Sequence, residues 1–414
     1  MNGTVIAENL GKRFNYYDGH RPATIMEAVL SGFKLMQPVK KFWAIRDVTL
    51  EIAPGEMLGI IGKNGAGKST LLQLLGGVIQ PDEGQVMIAG RIGALLDLAA
   101  GFHSDLTGRE NIYVTAISAG LTRREVNQRL SEIITFSELE NFIDLPLRTY
   151  STGMMMRLAF SVAVHTDPQV MLVDEFLSVG DLAFQTKCLK RIHELKTQGC
   201  AIVLVSHSPD QIKSLCDKAL WLSRGYVAAY GDPEVVIQQY VDAMQLETRK
   251  RTPTSHPAVK TASGFELKVN KNRFGSLEAE VMGLQIQAPN QGDVAEVYGG
   301  TSMRLLIDYV AHTPVESPIF GINISDAKGI NCYQTNTNTA DVALPTIQGQ
   351  GRIALEIECP SLETGHYFVD VGIYEKDWAY AYDFHWQVYP IVIRASKVER
   401  SAAKSFQKWE LLSV

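Results

Sequence analysis

The sequence lacks the features of membrane-spanning and disulfide-bonded proteins. No stretch approaches the roughly 18 uninterrupted apolar residues that a transmembrane helix needs. Its five cysteines are odd in number and form no CxxC pair. We therefore expect buried, reduced thiols rather than a disulfide framework or a metal site. These cysteines are Cys188, Cys200, Cys216, Cys332 and Cys359.

An excess of basic charge and a secretory leader are also missing. The formal net charge is −6, which argues against a protein that works by neutralising nucleic-acid phosphates, and we expect no nucleic-acid partner. Glu8 stands where a secretory signal would need an apolar core, so we expect no export. These absences predict a cytoplasmic protein whose membrane role, if any, depends on a partner.

The length of 414 residues suggests two or three domains. Up to about Gln245, apolar runs such as MLGII and AIVLVSH alternate with helical patterns, which predicts a mostly parallel sheet covered by helices. Residues 247–263 are rich in Pro, Ser, Thr and basic residues and are interpreted as a linker. From Gly264 onward, short alternating strands with turn-rich breaks predict an all-β sandwich or barrel. The predicted domains are therefore 1–246 and 264–414.

The first strong motif fits GxxxxGK[ST] and lies between an apolar strand and a helical pattern. Its glycines let successive backbone N–H groups face a phosphate, and the following helix adds its positive end. Lys68 would reach the β- and γ-phosphates, and the Ser69 hydroxyl would bind Mg²⁺. The nucleotide-binding candidates are Gly62, Asn64, Gly65, Ala66, Gly67, Lys68, Ser69 and Thr70.

Two further apolar strands end in polar residues that suit phosphate chemistry. Asp174 and Glu175 close the strand VMLVDE; Asp174 would hold Mg²⁺, and Glu175 would deprotonate the attacking water. His207 follows the strand AIVLVS, at the same predicted sheet edge, where a partner for the γ-phosphate is needed. Outside a phosphate site, each of these residues would be an ordinary strand end.

The segment Tyr150-Ser151-Thr152-Gly153-Met154 resembles the signature sequence of ATP-binding-cassette (ABC) ATPases, which usually reads LSGGQ. The motifs described above occur in that family's order, over roughly residues 1–245. The resemblance implies an α/β P-loop ABC ATPase domain with a helical signature subdomain, followed here by an immunoglobulin- or jelly-roll-like β-sandwich. It also implies a homodimer that holds two ATP molecules, with Ser151, Thr152 and Gly153 facing the partner's P-loop.

Other positions of that family are matched less closely. The segment 178–181, ending in Asp181, occupies the family's D-loop position, and His207 occupies the switch-histidine position. An aromatic residue that stacks on adenine is expected at Phe14, Tyr16 or Tyr17, any of which could instead be an ordinary packing residue. The family's Q-loop glutamine is absent, and Asp97 is the proposed substitute as a metal or water ligand.

The phrases LLDLAAGFHSDLTGRENIY and VDEFLSVGD resemble the polysaccharide-export branch of the family. That resemblance implies a separate membrane permease, a lipid-linked O-antigen or related glycan as cargo, and a location at the inner face of the cytoplasmic membrane. An amphipathic helix is predicted within residues 24–34. It would either gate the lipid-pyrophosphate head, with Lys34, Lys40 and Lys41 as candidate contacts, or pack on its own domain.

The C-terminal region resembles the carbohydrate-binding sandwich of O-antigen exporter ATPases of the Wzt type, through phrases such as SLETGHYFVDVGIY. Candidate glycan-binding aromatics are Tyr333, Tyr374, Trp378, Tyr380, Tyr382 and Trp386, grouped with Asp377, Asp383 and His385. Alternating aromatics in a strand also suit simple packing. Two alternatives stay open: a soluble, non-transport ABC ATPase of the repair or translation type, and a C-terminal domain that serves only dimerisation.

Overall fold

The computed structural model describes most of the chain as two compact units, Met1–Tyr240 and Val241–Val414. The described residues are 3–16, 40–95, 101–174, 182–261, 264–288, 296–338, 340, 342, 344–358, 362–376, 378–394 and 407–412. Within these ranges, no helix has both the length and the hydropathy needed to cross a bilayer.

The helices are numbered in chain order. They are α1 (Lys68–Leu75), α2 (Gly108–Ser118), α3 (Arg123–Ser137), α4 (Thr152–Val164), α5 (Leu182–Thr197), α6 (Pro209–Leu215) and α7 (Pro233–Arg251), with a 3₁₀ turn at Leu147–Thr149.

The strands of the first unit are β1 (Val5–Tyr16), β2 (Lys40–Ile52), β3 (Met57–Ile61), β4 (Glu83–Ile88), β5 (Ile92–Leu95), β6 (Val170–Asp174), β7 (Ala201–Val205), β8 (Lys218–Ser223) and β9 (Tyr226–Gly231). Those of the second unit are β10 (Val259–Lys260), β11 (Glu266–Leu267), β12 (Arg273–Phe274), β13 (Ala279–Gln287), β14 (Glu296–Tyr298), β15 (Ser302–Val315), β16 (Ile319–Asp326), β17 (Asn331–Asn336), β18 (Ile347–Glu358), β19 (Gly365–Tyr374), β20 (Ala381–His385), β21 (Pro390–Arg394) and β22 (Gln407–Leu412).

The central sheet of the first unit has the strand order β5-β6-β7-β3-β8-β9. All its pairs are parallel except β8 with β9. Strands β3 and β7 are buried at every position, as expected for strands covered on both faces. The predicted mostly parallel α/β fold is thereby confirmed.

Two further layers complete the first unit. Strands β2-β1-β4 form an antiparallel sheet, which the sequence analysis did not predict. Helices α2, α3 and α4 enclose a separate small core that includes Ile112, Val126, Ile133 and Leu158. Helices α2 and α3 each begin with a capping box, from Thr107 with Glu110 and from Thr122 with Glu125, which satisfies N–H groups that the helix leaves free. The predicted helical subdomain is therefore present.

The second unit is a sandwich of two sheets. One contains β13-β15-β18-β22, and the other contains β12-β20-β19-β16-β17 with β21 and β14 attached through β19. Alternate residues of both sheets, such as Ile307 and Leu355 from one and Ile322 and Val371 from the other, share one buried core. This confirms the predicted all-β sandwich.

Helix α7 extends into residues 247–263, the range interpreted as a linker. Thr248 Oγ1 accepts a hydrogen bond from the backbone N–H of Ala381 at 3.0 Å, and Thr252 Oγ1 accepts one from Gly275 N–H at 2.9 Å. Both threonines are buried. These two bonds attach the start of the range to the second unit. They also satisfy two buried backbone N–H groups, each of which needs an acceptor. The domain limits inferred from the sequence remain a prediction.

The cysteine prediction is correct in part. Cys188, Cys200 and Cys216 are buried, and burial raises the pKa of each thiol to about 12. Cys332 is exposed, which corrects the expectation of a buried thiol. It lies at an irregular step in the pairing of β17 with β16, where the regular inward and outward alternation is interrupted. Cys359 lies outside the described residues.

Candidate functional site

The glycine-rich loop connects β3 to α1 and is shaped by its glycines. Gly67, the residue before α1, has φ 106°, a left-handed conformation that favours glycine. A Cβ atom on Gly67 would lie 2.5 Å from the carbonyl oxygen of Ala44. The loop therefore packs closely against β2, with the N-terminus of α1 free to face an anion.

Lys68 is the first residue of α1 and is buried, with 5% of its surface exposed. Its ammonium group donates to the carbonyl oxygens of Gly62 at 2.8 Å and Lys63 at 3.3 Å. These bonds hold the charge inside the curve of the loop. Ser69 is exposed and Thr70 is half-buried, so their hydroxyl groups lie near the surface at the positive end of the helix.

Asp174 and His207 lie at the same edge of the central sheet as this loop. Asp174 is the last residue of β6 and pairs with Val205 on β7. The backbone N–H of Ser206 donates to the carbonyl oxygen of Ile60 on β3, at 3.2 Å. The carboxyl ends of these strands thus adjoin each other, which is where open α/β sheets bind ligands. Glu175, Asp97 and Asp181 lie outside the described residues.

The signature segment forms the start of α4. Ser151 is its N-cap, and the Ser151 hydroxyl oxygen accepts a hydrogen bond from the N–H of Met154 at 3.2 Å. Ser151, Thr152 and Gly153 are all exposed, whereas Tyr150 is buried and donates its hydroxyl proton to the carbonyl of Phe142. The structure therefore presents an open helix N-terminus with a hydroxyl group, an arrangement that suits a phosphate.

The aromatic candidates near the N-terminus are resolved in part. Phe14 on β1 is 38% exposed and pairs with Phe42 on β2, which is 47% exposed. Their ring centroids are 6.1 Å apart. Tyr16 is the last residue of β1, Tyr17 lies outside the described residues, and so does the helix predicted within 24–34. Sequence reasoning missed Phe42, because only the pairing of the strands places it beside Phe14.

The candidate glycan-binding aromatics fall into separate places in the second unit. Tyr382 is buried in the core, and Tyr333 and Tyr380 pack against that core. Tyr380 is covered by the guanidinium of Arg251, 3.9 Å from the ring centre. Tyr374 packs against Trp378, with ring centroids 4.7 Å apart and the rings tilted by 37°. Of the six residues, Trp386 is the most exposed, at 40%.

The polar residues grouped with these aromatics form a buried ionic cluster instead of a surface. Asp383 accepts hydrogen bonds from Arg273 at 2.9 and 2.6 Å and from His385 at 3.2 Å. Asp383 and His385 have no exposed surface, and Arg273 also donates to Glu280 at 2.6 Å. Each charge has its partner, as buried charges require. Asp377 lies outside the described residues.

Two protein families match this chain. Residues 45–178 match the family described as ABC transporter, and residues 270–403 match the Wzt C-terminal domain. The first range contains the glycine-rich loop, the signature segment and Asp174. The second contains every strand of the two sandwich sheets except β22.

Curated relatives extend the similarity. The O-antigen export system ATP-binding protein RfbB of Myxococcus xanthus is 38% identical over 340 residues, which is 80% of this chain and 76% of the relative. The protein of the same name from Klebsiella pneumoniae is 42% identical over 59% of this chain and all of its own length. The teichoic acids export ATP-binding protein TagH of Lactococcus lactis is 46% identical over 50% of this chain and 44% of its own. This chain therefore belongs to the ATP-binding proteins of ABC transporters, within the O-antigen export group, and is an ABC-type ATPase.

Proposed function

We propose that this chain is the ATP-hydrolysing subunit of an exporter that moves a lipid-linked polysaccharide of the O-antigen type across the cytoplasmic membrane. The similarity to the O-antigen export protein of Myxococcus xanthus carries this proposal. It extends over 340 residues, more than the 240 residues of the first unit, so it includes both the cassette and part of the sandwich. The names of these relatives do not favour a role in repair or translation.

ATP with Mg²⁺ fits the residues of the glycine-rich loop. A side chain at Gly67 would collide with the carbonyl oxygen of Ala44, so glycine preserves the shape of the loop. Lys68 supplies a buried positive charge. The Ser69 hydroxyl and the Asp174 carboxylate are oxygen donors of the kind that Mg²⁺ prefers, and Mg²⁺ on a nucleotide needs only one or two protein ligands. When bound, Mg²⁺ would neutralise charge on the phosphates.

We assign the remaining chemistry to residues at the same sheet edge. Glu175 would orient and deprotonate the attacking water, and His207 would contact the γ-phosphate. Asp97 would take the place of the Q-loop glutamine, and Asp181 would act from the D-loop. Phe14, or Tyr16 or Tyr17, would stack on adenine, with Phe42 as a neighbour of Phe14.

Two copies of the chain would complete two sites. Each chain has one glycine-rich loop and one exposed α4 N-terminus beginning at Ser151, and each helix end would bind the ATP held by the partner. The dimer would act on a membrane permease at the inner face of the cytoplasmic membrane. Its sandwich unit, which matches the Wzt C-terminal domain, would recognise the glycan.

The Glu175→Gln variant tests this proposal. We expect it to bind ATP normally, to lose turnover, and to accumulate as an ATP-bound dimer in size-exclusion chromatography. Glu132→Gln, at an exposed glutamate of α3, is the matched control and should keep full activity. In cells that lack the gene, the wild type but not Glu175→Gln should restore surface polysaccharide. Normal turnover of Glu175→Gln, or unchanged surface polysaccharide in the deletion strain, would contradict the proposal.

A further inference from the structure

The outer face of the larger sheet of the sandwich carries polar side chains in register across neighbouring strands. Residues Ile322 and Ile324 of β16, like Val369 and Val371 of β19, are fully buried in the core between the sheets. Because side chains alternate along a strand, Asn323 and Asp370 point to the opposite, outer face.

These residues form a row that we call the amide row, consisting of Trp386, Asp370, Asn323 and Gln334. Asn323 pairs directly with Asp370 on β19 and with Gln334 on β17. The N–H of Trp386 donates to the carbonyl of Asn272 at 2.9 Å, which continues the pairing of β20 with β12 one residue past His385. The N–H of Gln387 donates to Asp370 Oδ1 at 2.6 Å, which brings Trp386 beside Asp370. Four strands at the usual spacing give a row about 14 Å long.

An aromatic wall borders the amide row. The next row across the strands contains Phe384, Gly372, Gly321 and Asn336. Cβ atoms on Gly372 and Gly321 would lie 2.6 and 3.1 Å from the ring of Tyr374, so that ring covers the two glycines. Trp378 packs against Tyr374, with ring centroids 4.7 Å apart.

The amide row contains a single ionisable group. Asp370 is 3% exposed and accepts hydrogen bonds from the Ser325 hydroxyl at 2.8 Å and from Gln387 N–H. Burial raises the pKa of this carboxyl group. Gln334 is exposed and receives a hydrogen bond from the Asn331 amide at 2.8 Å. The row offers amide donors and acceptors, but it has no lysine or arginine to bind an anion.

We propose that this face is where the sandwich binds its glycan, and that the ligand is an uncharged, hydroxyl-rich chain and not a polyanion. Amides of Asn323 and Gln334 would exchange hydrogen bonds with sugar hydroxyl groups, while Trp386 and Trp378 would contact the apolar faces of sugar rings. The assignment rests on the proposed role of the second unit in glycan recognition. It locates that role at a face that combines Trp386 and Trp378 with Asn323 and Gln334, two amide residues that were not among the sequence-based candidates.

The test uses the full-length protein and lipid-free O-polysaccharide isolated from the surface of the strain that carries this chain, titrated by calorimetry. We expect Gln334→Ala, Asn323→Ala and Trp386→Ala each to weaken binding about tenfold, as expected for one lost hydrogen bond to a polar ligand or one lost aromatic contact. Affinity should change less than about twofold between low and high salt, because an uncharged ligand is insensitive to screening.

Gln285→Ala is the matched control, because Gln285 lies between the core residues Leu284 and Ile286 and so faces outward from the other sheet. It should bind as the wild type does, and unchanged melting temperatures would show that the row variants fold. Normal polysaccharide binding by all three row variants would show that the glycan site is not at the amide row, while leaving the glycan-recognition role of the sandwich intact. A steep loss of affinity with salt would contradict the proposal that the ligand is uncharged. If the wild type binds no polysaccharide, the recognition role and this site both fail.

Discussion

The carbonyl oxygen of Ala44 lies 2.5 Å from the position that a Cβ atom on Gly67 would occupy. No real Cβ contact is that short, so any side chain at Gly67 must displace β2 or the start of α1. Because Gly67 is also in a left-handed conformation, with φ 106°, substitution adds backbone strain. The shape of the glycine-rich loop thus depends on Ala44 of β2, although the loop itself connects β3 to α1.

We therefore expect Gly67→Ala to weaken ATP binding at least tenfold, measured by titration with a fluorescent nucleotide. The matched control is Gly77→Ala, which has φ 68° and no atom within 4 Å of the added methyl group. That control should cost about 1–2 kcal/mol of stability through its backbone conformation alone and leave ATP affinity unchanged. Wild-type affinity in Gly67→Ala would show that the loop tolerates the displacement.

A second prediction separates a capping role from a catalytic role for Ser151. Ser151→Ala and Thr122→Ala each remove a side-chain cap, of α4 and α3 respectively, and each should cost about 1 kcal/mol of stability. Only Ser151→Ala should also reduce ATPase activity, at least tenfold, because its hydroxyl would contact the partner's ATP. Equal ATPase activity in the two variants would show that Ser151 only caps α4 and does not contact the partner's ATP.

A third prediction concerns the buried pair of Arg273 and Asp383. Burial by itself would raise the pKa of Asp383, but His385 and Arg273 outweigh it and hold that pKa below its ordinary value. The pair therefore contributes its full stability above pH 4, the ordinary range of an aspartate, and loses it as pH falls through the lower folded pKa. Asp383→Asn should destabilise the second unit by about 3–5 kcal/mol at neutral pH, since it leaves buried positive charge uncompensated.

Hydrogen–deuterium exchange of the β20 amides at pH 7 and pH 3 would measure this loss within the intact chain. The difference between wild type and Asp383→Asn should shrink as the solution becomes acidic. Glu296→Gln removes the carboxylate partner of Arg394 at an exposed pair and serves as the control, with little effect expected at either pH. A difference that stays constant with pH would contradict the assigned ionisation of Asp383.

The strand, glycine-rich loop and helix around Lys68 could be predicted from sequence because they are local. The glycine-rich loop and Lys68 depend on a few consecutive residues between β3 and α1, and the signature segment is a short run at the start of α4. The antiparallel sheet of β1, β2 and β4 was not predicted. Its pairing shifts register near Asn9, which has a positive φ of 49°, and so the simple alternation that indicates a strand is broken.

The sandwich shows the limit of local patterns more clearly. Tyr382 and Asp383 suggested a surface site, but Arg273, 110 positions earlier, neutralises Asp383 inside the core. Conversely, Asn323 and Gln334 are unremarkable in the sequence. They become a candidate site only because β16 and β17 pair in one particular register, which a one-residue shift would abolish.

The ring of Tyr374 rests on Gly321 and Gly372, from two adjacent strands, in space that a methyl group at either position would fill. We therefore expect the three positions to vary together. Among homologous chains, a bulkier residue at 321 or 372 should occur together with a smaller one at 374, and such chains should lose the aromatic platform against which Trp378 packs. Under the proposed glycan-binding role of this face, such covariation would distinguish transporters that have the aromatic platform from those that bind their glycan without it.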